Sequence, residues 1–215
     1  MKETYDTARK LMKGYCRVCP ECNGIACAGQ VPGMGGLGTA ASFKENVIAL
    51  GKIRFNMRLI HNVTEPDLSI SLLGRQMALP LMAAPIGGVS FNMGGQVSEE
   101  EYIRAIVVSN HGGRVLDYLP GSASVLPAIC DAVKDQVTIL ADGGVRSGGD
   151  VLKLLALGAD AVMIGRPFCV AAVGGGQAGV ESYIDKIKTE LEQAMVLTGV
   201  KKASQVPGNI IFRSV

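Results

Sequence analysis

The chain has almost no excess of charge of either sign: 21 Lys and Arg stand against 19 Asp and Glu, a formal net charge of +2. That balance offers no basic stripe for nucleic acid and no electrostatic attraction to an anionic membrane, so neither is expected as a partner. A secretory leader is also lacking. The opening residues, MKETYDTARKLMKGYC, mix acids and bases and contain no apolar core, which predicts a cytoplasmic protein. The uncharged stretch 77–97 is interrupted by Pro80, Pro85 and paired glycines. It is therefore not expected to span a membrane. Histidine is scarce, with only His61 and His111.

Glycine is abundant instead. The 28 glycines among 215 residues exceed an average usage of about 7%. They fall in short clusters between apolar runs, where they let the backbone take positive φ or come close to a ligand. A chain of this length buries roughly 70% of its unfolded surface, enough for a sizeable core.

The pattern along the chain changes near residue 54. Residues 1–15 read as a short amphipathic helix with Tyr5, Ala8, Leu11, Met12 and Tyr15 on one face. A cysteine cluster, a glycine-rich loop at 31–39 and a helix over 42–50 follow, making 1–53 an N-terminal extension. Residues 54–73 are polar and extended and end in a Leu-Gly turn. Beyond them, apolar runs at 79–84, 105–109, 137–141 and 161–165 alternate with helical patterns at 123–135, 150–157 and 180–198. Continuous apolar strands alternating with helices imply an α/β fold whose parallel sheet is covered on both faces. This second domain covers 54–215.

Each of these strands runs into a polar or glycine-rich loop, and in parallel α/β folds ligands sit at those strand ends. The loop SNHGGR holds His111, the side chain best suited to move a proton near neutral pH. Three residues on, Arg114 offers a planar fork that matches a carboxylate. The next loop, DGGVRSGG, opens a helix whose exposed N–H groups suit a phosphate, and Arg146 adds charge. Gly165-Arg166-Pro167 repeats the theme one strand later. Two such loops in succession match the phosphate site of (β/α)₈ barrels. By contrast, Gly33-Met34-Gly35-Gly36-Leu37-Gly38 fits G-x-G-x-x-G but has no strand before it, so it is expected to pack near the barrel mouth and not to bind a dinucleotide.

Cys16, Cys19, Cys22 and Cys27 are spaced close to an iron–sulfur run. They have one residue more before the last cysteine than the usual ferredoxin pattern, and Ala28 follows where proline is customary. Four thiolates also suit zinc. The reading is metal binding, iron–sulfur or zinc, set against free thiols. Cys130 and Cys169 lie in apolar settings and are expected to be buried and inert.

The runs AIVVSNHGGRVLDYLPGSASVLPAI and ADGGVRSGGDVLKLLALGADAVMIGRP resemble the C-terminal half of FMN-dependent α-hydroxy acid dehydrogenases and oxidases, the lactate- and glycolate-oxidising enzymes. LLG followed by PLMAAPI resembles the family's entry into its first barrel strand. The resemblance implies a (β/α) TIM-barrel fold and an oxidoreductase that converts a small, lactate-like α-hydroxy acid to its 2-oxo acid, passing electrons to an acceptor. It implies His111 as catalytic base and Arg114 as carboxylate clamp. Ser109 would approach the flavin. Asp142, Gly143, Gly144, Arg146, Gly165 and Arg166 would hold the FMN ribityl-phosphate, and Ala83, Ala84 and Pro85 would pass along its ring.

The family has eight barrel strands, and this sequence offers four, matching the first, sixth, seventh and eighth. Ser98-Glu99-Glu100-Glu101 reads as a capping box starting a helix, yet AIVVS begins at once after it. A crossover has no residues there in which to reverse, so an internal deletion is expected with its seam near 103–107. The missing stretch would carry a flavin-side lysine, a carboxylate partner for the histidine and a substrate-contacting tyrosine. An incomplete barrel leaves open strand edges, which predicts a homo-oligomer and weak or absent turnover. Two further readings stand beside this one. An FMN-dependent type 2 isopentenyl diphosphate isomerase resembles residues 54–88, and a non-catalytic flavin-binding remnant would retain the phosphate loops alone.

Overall fold

The computed structural model describes residues 1–12, 16–29, 35–84, 105–133 and 136–213. The N-terminal helix α1 spans Lys2–Leu11. It packs through Ala8 and Met12 against Val18 and Val170, with Tyr5 beside them. Leu11, expected on that face, is 64% exposed. Tyr15 lies outside the described residues. Helix α2, Ala41–Lys52, buries Ser42, Phe43, Asn46, Ala49 and Leu50, a stripe at helical spacing.

Short strands frame the domain. Strand β1, Ile53–Phe55, pairs antiparallel with β8, Ile211–Arg213. Strands β2, Ile70–Leu72, and β3, Arg75–Met77, form a hairpin. Its turn is the expected Leu-Gly pair, with φ of 49° at Leu73 and 77° at Gly74, the left-handed pairing that fits strand twist.

The central sheet consists of β4, Leu81–Ala83; β5, Ala105–Val108; β6, Thr138–Ala141; and β7, Ala161–Ile164. Its order is β4-β7-β6-β5, and every pairing is parallel. That order brings the strands matching barrel positions one, eight, seven and six side by side. The strands matching positions one and six lie at opposite edges, so among the described residues the arc is open. The sheet is a partial barrel of α/β class. The expected capping box at 98–101, residues 103–104 of the expected seam and Pro85 lie outside the described residues.

Three helices cover the sheet. Helix α3, Ser122–Val133, tolerates Pro127 within it. Helix α4, Gly148–Ala156, starts from a reciprocal capping box in which the Ser147 side chain accepts from the Asp150 N–H and Asp150 accepts from the Ser147 N–H. Helix α5, Arg166–Thr198, has Pro167 in its first turn and closes on Gly199 at φ 70°. Only its second half was expected; the first half contains Gly174-Gly175-Gly176 and bends at Gly176. A side chain at Gly174 would collide with the Thr4 carbonyl. That glycine lets α1 and α5 touch, which helical propensity alone would not reveal. Leu152, Leu154, Ile164, Ile187, Leu191 and Met195 form the buried heart between the sheet and these helices.

Cys130 and Cys169 are half-buried rather than buried. Cys130 donates to the Gly158 carbonyl at 3.4 Å. Among the described residues no helix is long and apolar enough to cross a membrane.

Candidate active site

At the C-terminal ends of β5, β6 and β7 lies a cavity of about 340 Å³. It is lined by Ser109, His111 and Arg114 from the loop after β5, by Asp142, Gly143, Gly144 and Arg146 from the loop after β6, and by Gly165 and Arg166 after β7. Ala84 reaches it from the end of β4. Every site residue expected from those loops is therefore gathered in one place. Ala83 is not among the lining residues, and Pro85 lies outside the described ones. Val107, Met163, Ile164 and Cys169 complete the apolar wall. They read as ordinary strand and helix residues in the sequence and gave no signal of their role.

The loop after β5 is held in an uncommon backbone state. His111, Gly112 and Gly113 have φ of 53°, 61° and 73° in succession. A non-glycine residue in that region is strained, and such strain concentrates at functional sites. The Ser109 hydroxyl accepts the His111 N–H at 3.0 Å. Asn110, which is buried, ties the loop down. Its Oδ1 accepts from Asn46 Nδ2 at 2.7 Å and from the Gly113 N–H at 3.2 Å, while its Nδ2 donates to the Pro120 carbonyl at 3.0 Å. Asn46 in turn accepts from the Ser122 N–H and hydroxyl, each at 3.1 Å. Gly113 packs so closely on the Phe43 backbone that no side chain fits. His111 and Arg114 themselves are exposed.

Asp117 braces the same loop from its far end. Its carboxylate accepts from the Thr39 N–H and hydroxyl at 2.7 Å each, from the Ser42 N–H at 3.2 Å and from the Tyr118 N–H at 3.0 Å. It thus caps the start of α2, whose own cap residue, Ala40, has no side chain to do so. Against an opposing desolvation, these bonds to Thr39, Ser42 and Tyr118 hold the Asp117 carboxyl down at about 2. The end of the G-x-G-x-x-G run packs here as well, with the Leu37 N–H donating to the Gly113 carbonyl at 2.8 Å. Among the described residues no strand precedes it.

The cofactor side of the cavity is more enclosed. Burial raises the Asp142 carboxyl above its usual range, although the Ser109 hydroxyl, His111 and Arg166 pull the other way. Its Oδ1 is buried without a hydrogen-bond partner among the described residues, and so is Arg146 Nε. Arg166 is pulled down to about 10, first by burial and then by the neighbouring charges of Arg146 and Arg114. Three guanidinium groups around one cavity, with a buried acceptor and a buried donor that have no partner among the described residues, form a site suited to a polar, anionic ligand. A ribityl chain with a terminal phosphate supplies hydroxyls for Asp142 and oxygens for the arginines, so the residues present fit FMN.

Among the described residues, no group of three or more His, Cys, Asp or Glu side chains is placed to hold a metal ion, so the metal reading of Cys16, Cys19, Cys22 and Cys27 gains no support there. The thiols have other partners. Cys16 Sγ accepts from the Val18 N–H at 3.3 Å, and Cys22 Sγ accepts from Arg146 Nη2 at 3.4 Å. Burial, with the neighbouring cysteines, pushes the Cys16 and Cys27 thiols up.

The chain matches the FMN-dependent dehydrogenase family over residues 33–98 and 96–213. It is 55% identical over 108 residues to an L-lactate dehydrogenase of Xanthomonas campestris pv. campestris, a stretch covering 50% of this chain and 28% of that enzyme. An L-lactate dehydrogenase of Ectopseudomonas mendocina is 51% identical over the same length and shares. Mandelate oxidase with 3,3-difluoro-2-hydroxy-3-phenylpropionic acid superposes with a TM-score of 0.78 at 22% identity, over 100% of this chain and 99% of that one. Mandelate oxidase with benzoyl-formic acid does so at 0.72 and 22%, over 84% and 92%. The parallel sheet, the loops at its strand ends and these matches agree: this chain belongs to the FMN-dependent dehydrogenase family.

Proposed function

We propose that the cavity binds FMN and that its chemistry is the oxidation of a small, lactate-like α-hydroxy acid to the 2-oxo acid. The observation that carries this reading is the pair of buried, unpartnered polar atoms, Asp142 Oδ1 and Arg146 Nε, in the same cavity as His111 and Arg114. Gly143, Gly144 and Gly165 present their backbone at the cavity wall, where the ribityl-phosphate would lie. Asp142, Arg146 and Arg166 hold it, and Ser109 and Ala84 face the flavin. FMN, when bound, supplies the acceptor for the two electrons that leave the substrate carbon. Arg114 pairs with the substrate carboxylate and fixes its orientation. His111 takes up one proton released from the hydroxy acid and gives it to solvent after product leaves. The L-lactate dehydrogenase relatives support this substrate class over the isomerase reading, and the base and carboxylate clamp on one loop have no use in an isomerase acting on a diphosphate.

The chain lacks counterparts to four barrel strands, and its family match falls into two segments that overlap at 96–98. We read this as an internal deletion within the 54–215 domain, following the 1–53 extension. The deletion removes the histidine's carboxylate partner, so turnover by this chain alone is low and flavin binding is the property retained. The outer edges of β4 and β5 have no strand partner among the described residues, and such edges associate. The proposed state is therefore a homo-oligomer, which sedimentation of the purified chain tests. Six free cysteines suit a reducing, cytoplasmic location. A metal on the cysteine segment would require its thiols to regroup, and no step is assigned to one.

The absorption spectrum of protein purified without added flavin tests the assignment. Flavin bands, with FMN released on denaturation, are the expected result. Protein that carries no flavin and takes up none from added FMN would exclude it.

A further inference from the structure

Helix α2 places the Phe43 ring beneath the two arginines of the cofactor side. The Arg166 guanidinium carbon lies 4.4 Å from the ring centroid and that of Arg146 lies 6.0 Å away. Both are within the range at which a ring face attracts a cation, and the attraction grows where water is excluded. Phe43 is 2% exposed. The two guanidinium groups repel each other, and burial adds to the cost of charging Arg166. Something must offset that cost when no anion is present. A carboxylate under the arginines would do so, but it would accept their N–H donors and compete with any anionic ligand. An aromatic face attracts the cations without accepting those in-plane donors strongly. Among its contacts Arg166 donates to the Gly112 carbonyl at 2.8 Å, and Arg146 donates to the Val145 carbonyl at 2.8 Å and to Cys22 Sγ. Arg146 Nε keeps its donor unpaired. The ring is held in turn by its surroundings: a side chain at Gly24 would run into it, and one at Gly113 would strike the Phe43 backbone.

We propose that Phe43 is a positioning residue whose ring face holds Arg166 and Arg146 at the spacing that receives a phosphate monoester. The proposal rests on the FMN reading of the cavity, and it assigns to the N-terminal extension a part in recognising the phosphate rather than the flavin ring.

The test is to titrate the full 215-residue chain with FMN and with riboflavin, which lacks the phosphate, following flavin fluorescence. The unaltered chain is expected to bind FMN at least about tenfold more tightly than riboflavin. Phe43→Leu is expected to weaken FMN by about tenfold, the size of a desolvated cation–π contact, and to change riboflavin by less than about twofold. A merely structural role would weaken both ligands together. Phenylalanine fluorinated on the ring and incorporated at position 43 keeps the volume while depleting the ring face of electrons. It covers the case in which Phe43→Leu does not fold, and the same phosphate-specific loss is expected. Equal loss for FMN and riboflavin, or no loss for either, overturns the proposal. If the unaltered chain does not distinguish FMN from riboflavin, the phosphate reading of the cavity fails first, whatever position 43 does.

Discussion

The two halves of the cavity are built differently. The cofactor half comes from two consecutive strand-end loops, after β6 and β7, and is enclosed: Asp142 and Arg166 are shifted by burial, and two polar atoms there are buried and unpaired. The substrate half comes from one loop, after β5, and His111 and Arg114 stand exposed. The first half draws mainly on those two loops, with Phe43 of α2 against its arginines. On the proposed reading the second half needs neighbours from barrel strands without a counterpart among the described residues, so loss of part of the barrel would cost catalysis more than flavin binding.

The largest expected effect sharpens that contrast from the substrate side. His111→Ala lowers whatever turnover the unaltered chain shows by on the order of 10²–10⁴ and leaves FMN affinity unchanged, as steady-state kinetics with parallel flavin titration would show. Arg114→Ala raises the KM for the hydroxy acid and lowers kcat, again without effect on FMN. Equal loss of flavin in either variant would break the division between the halves. On the cofactor side, Arg166→Ala removes charge-assisted bonds each worth about 1.5–3 kcal/mol. FMN affinity then falls by on the order of 10–100-fold, measured against riboflavin as a control.

Smaller effects concern stability. Gly113→Ala places a side chain against the Phe43 backbone at a φ of 73°, and it costs about 1–3 kcal/mol, read from denaturant unfolding. Asp142→Asn relieves a buried carboxylate with an unpartnered oxygen. The folded-state value of Asp142 is raised, so the wild-type carboxyl favours folding at low pH and disfavours it once ionised. The variant should therefore melt about 2–4 °C higher at neutral pH while binding FMN less well. Asp117 has the opposite sign. Its value, held at about 2, lies below that of an ordinary carboxylate. Its contribution is present above the usual carboxylate range and is lost as the pH falls from there towards 2. Asp117→Asn should remove that acid-range part of the stability profile and leave the shape at neutral pH unchanged.

What the sequence made legible follows from how local each feature is. The strands and their loops were readable because apolar runs end directly in SNHGGR, DGGVR and GRP, and strand-end position alone nominates those residues. The four strands that the resemblance matched to barrel positions one, six, seven and eight lie in one parallel sheet. The first half of α5 was not readable, because Gly174-Gly175-Gly176 argues against helix and only contact with Thr4 explains it. Phe43 and Asn46 were missed for the same reason. They read as the apolar and polar faces of an extension helix, and their roles depend on contacts 64 to 123 residues away in the chain. The cysteines show the limit of spacing: it suggested a shared metal, while in the structure Cys22 accepts from Arg146 and no ligand set assembles among the described residues.

The central claim is that an FMN site persists in this incomplete barrel at the ends of β6 and β7. Equilibrium titration of the purified chain with FMN and, separately, with NAD tests it most directly. The account predicts saturable FMN binding that is weakened on the order of 10–100-fold in Arg166→Ala, with no binding of NAD. Tight NAD binding that depends on Gly33–Gly38, together with no uptake of FMN, would contradict it.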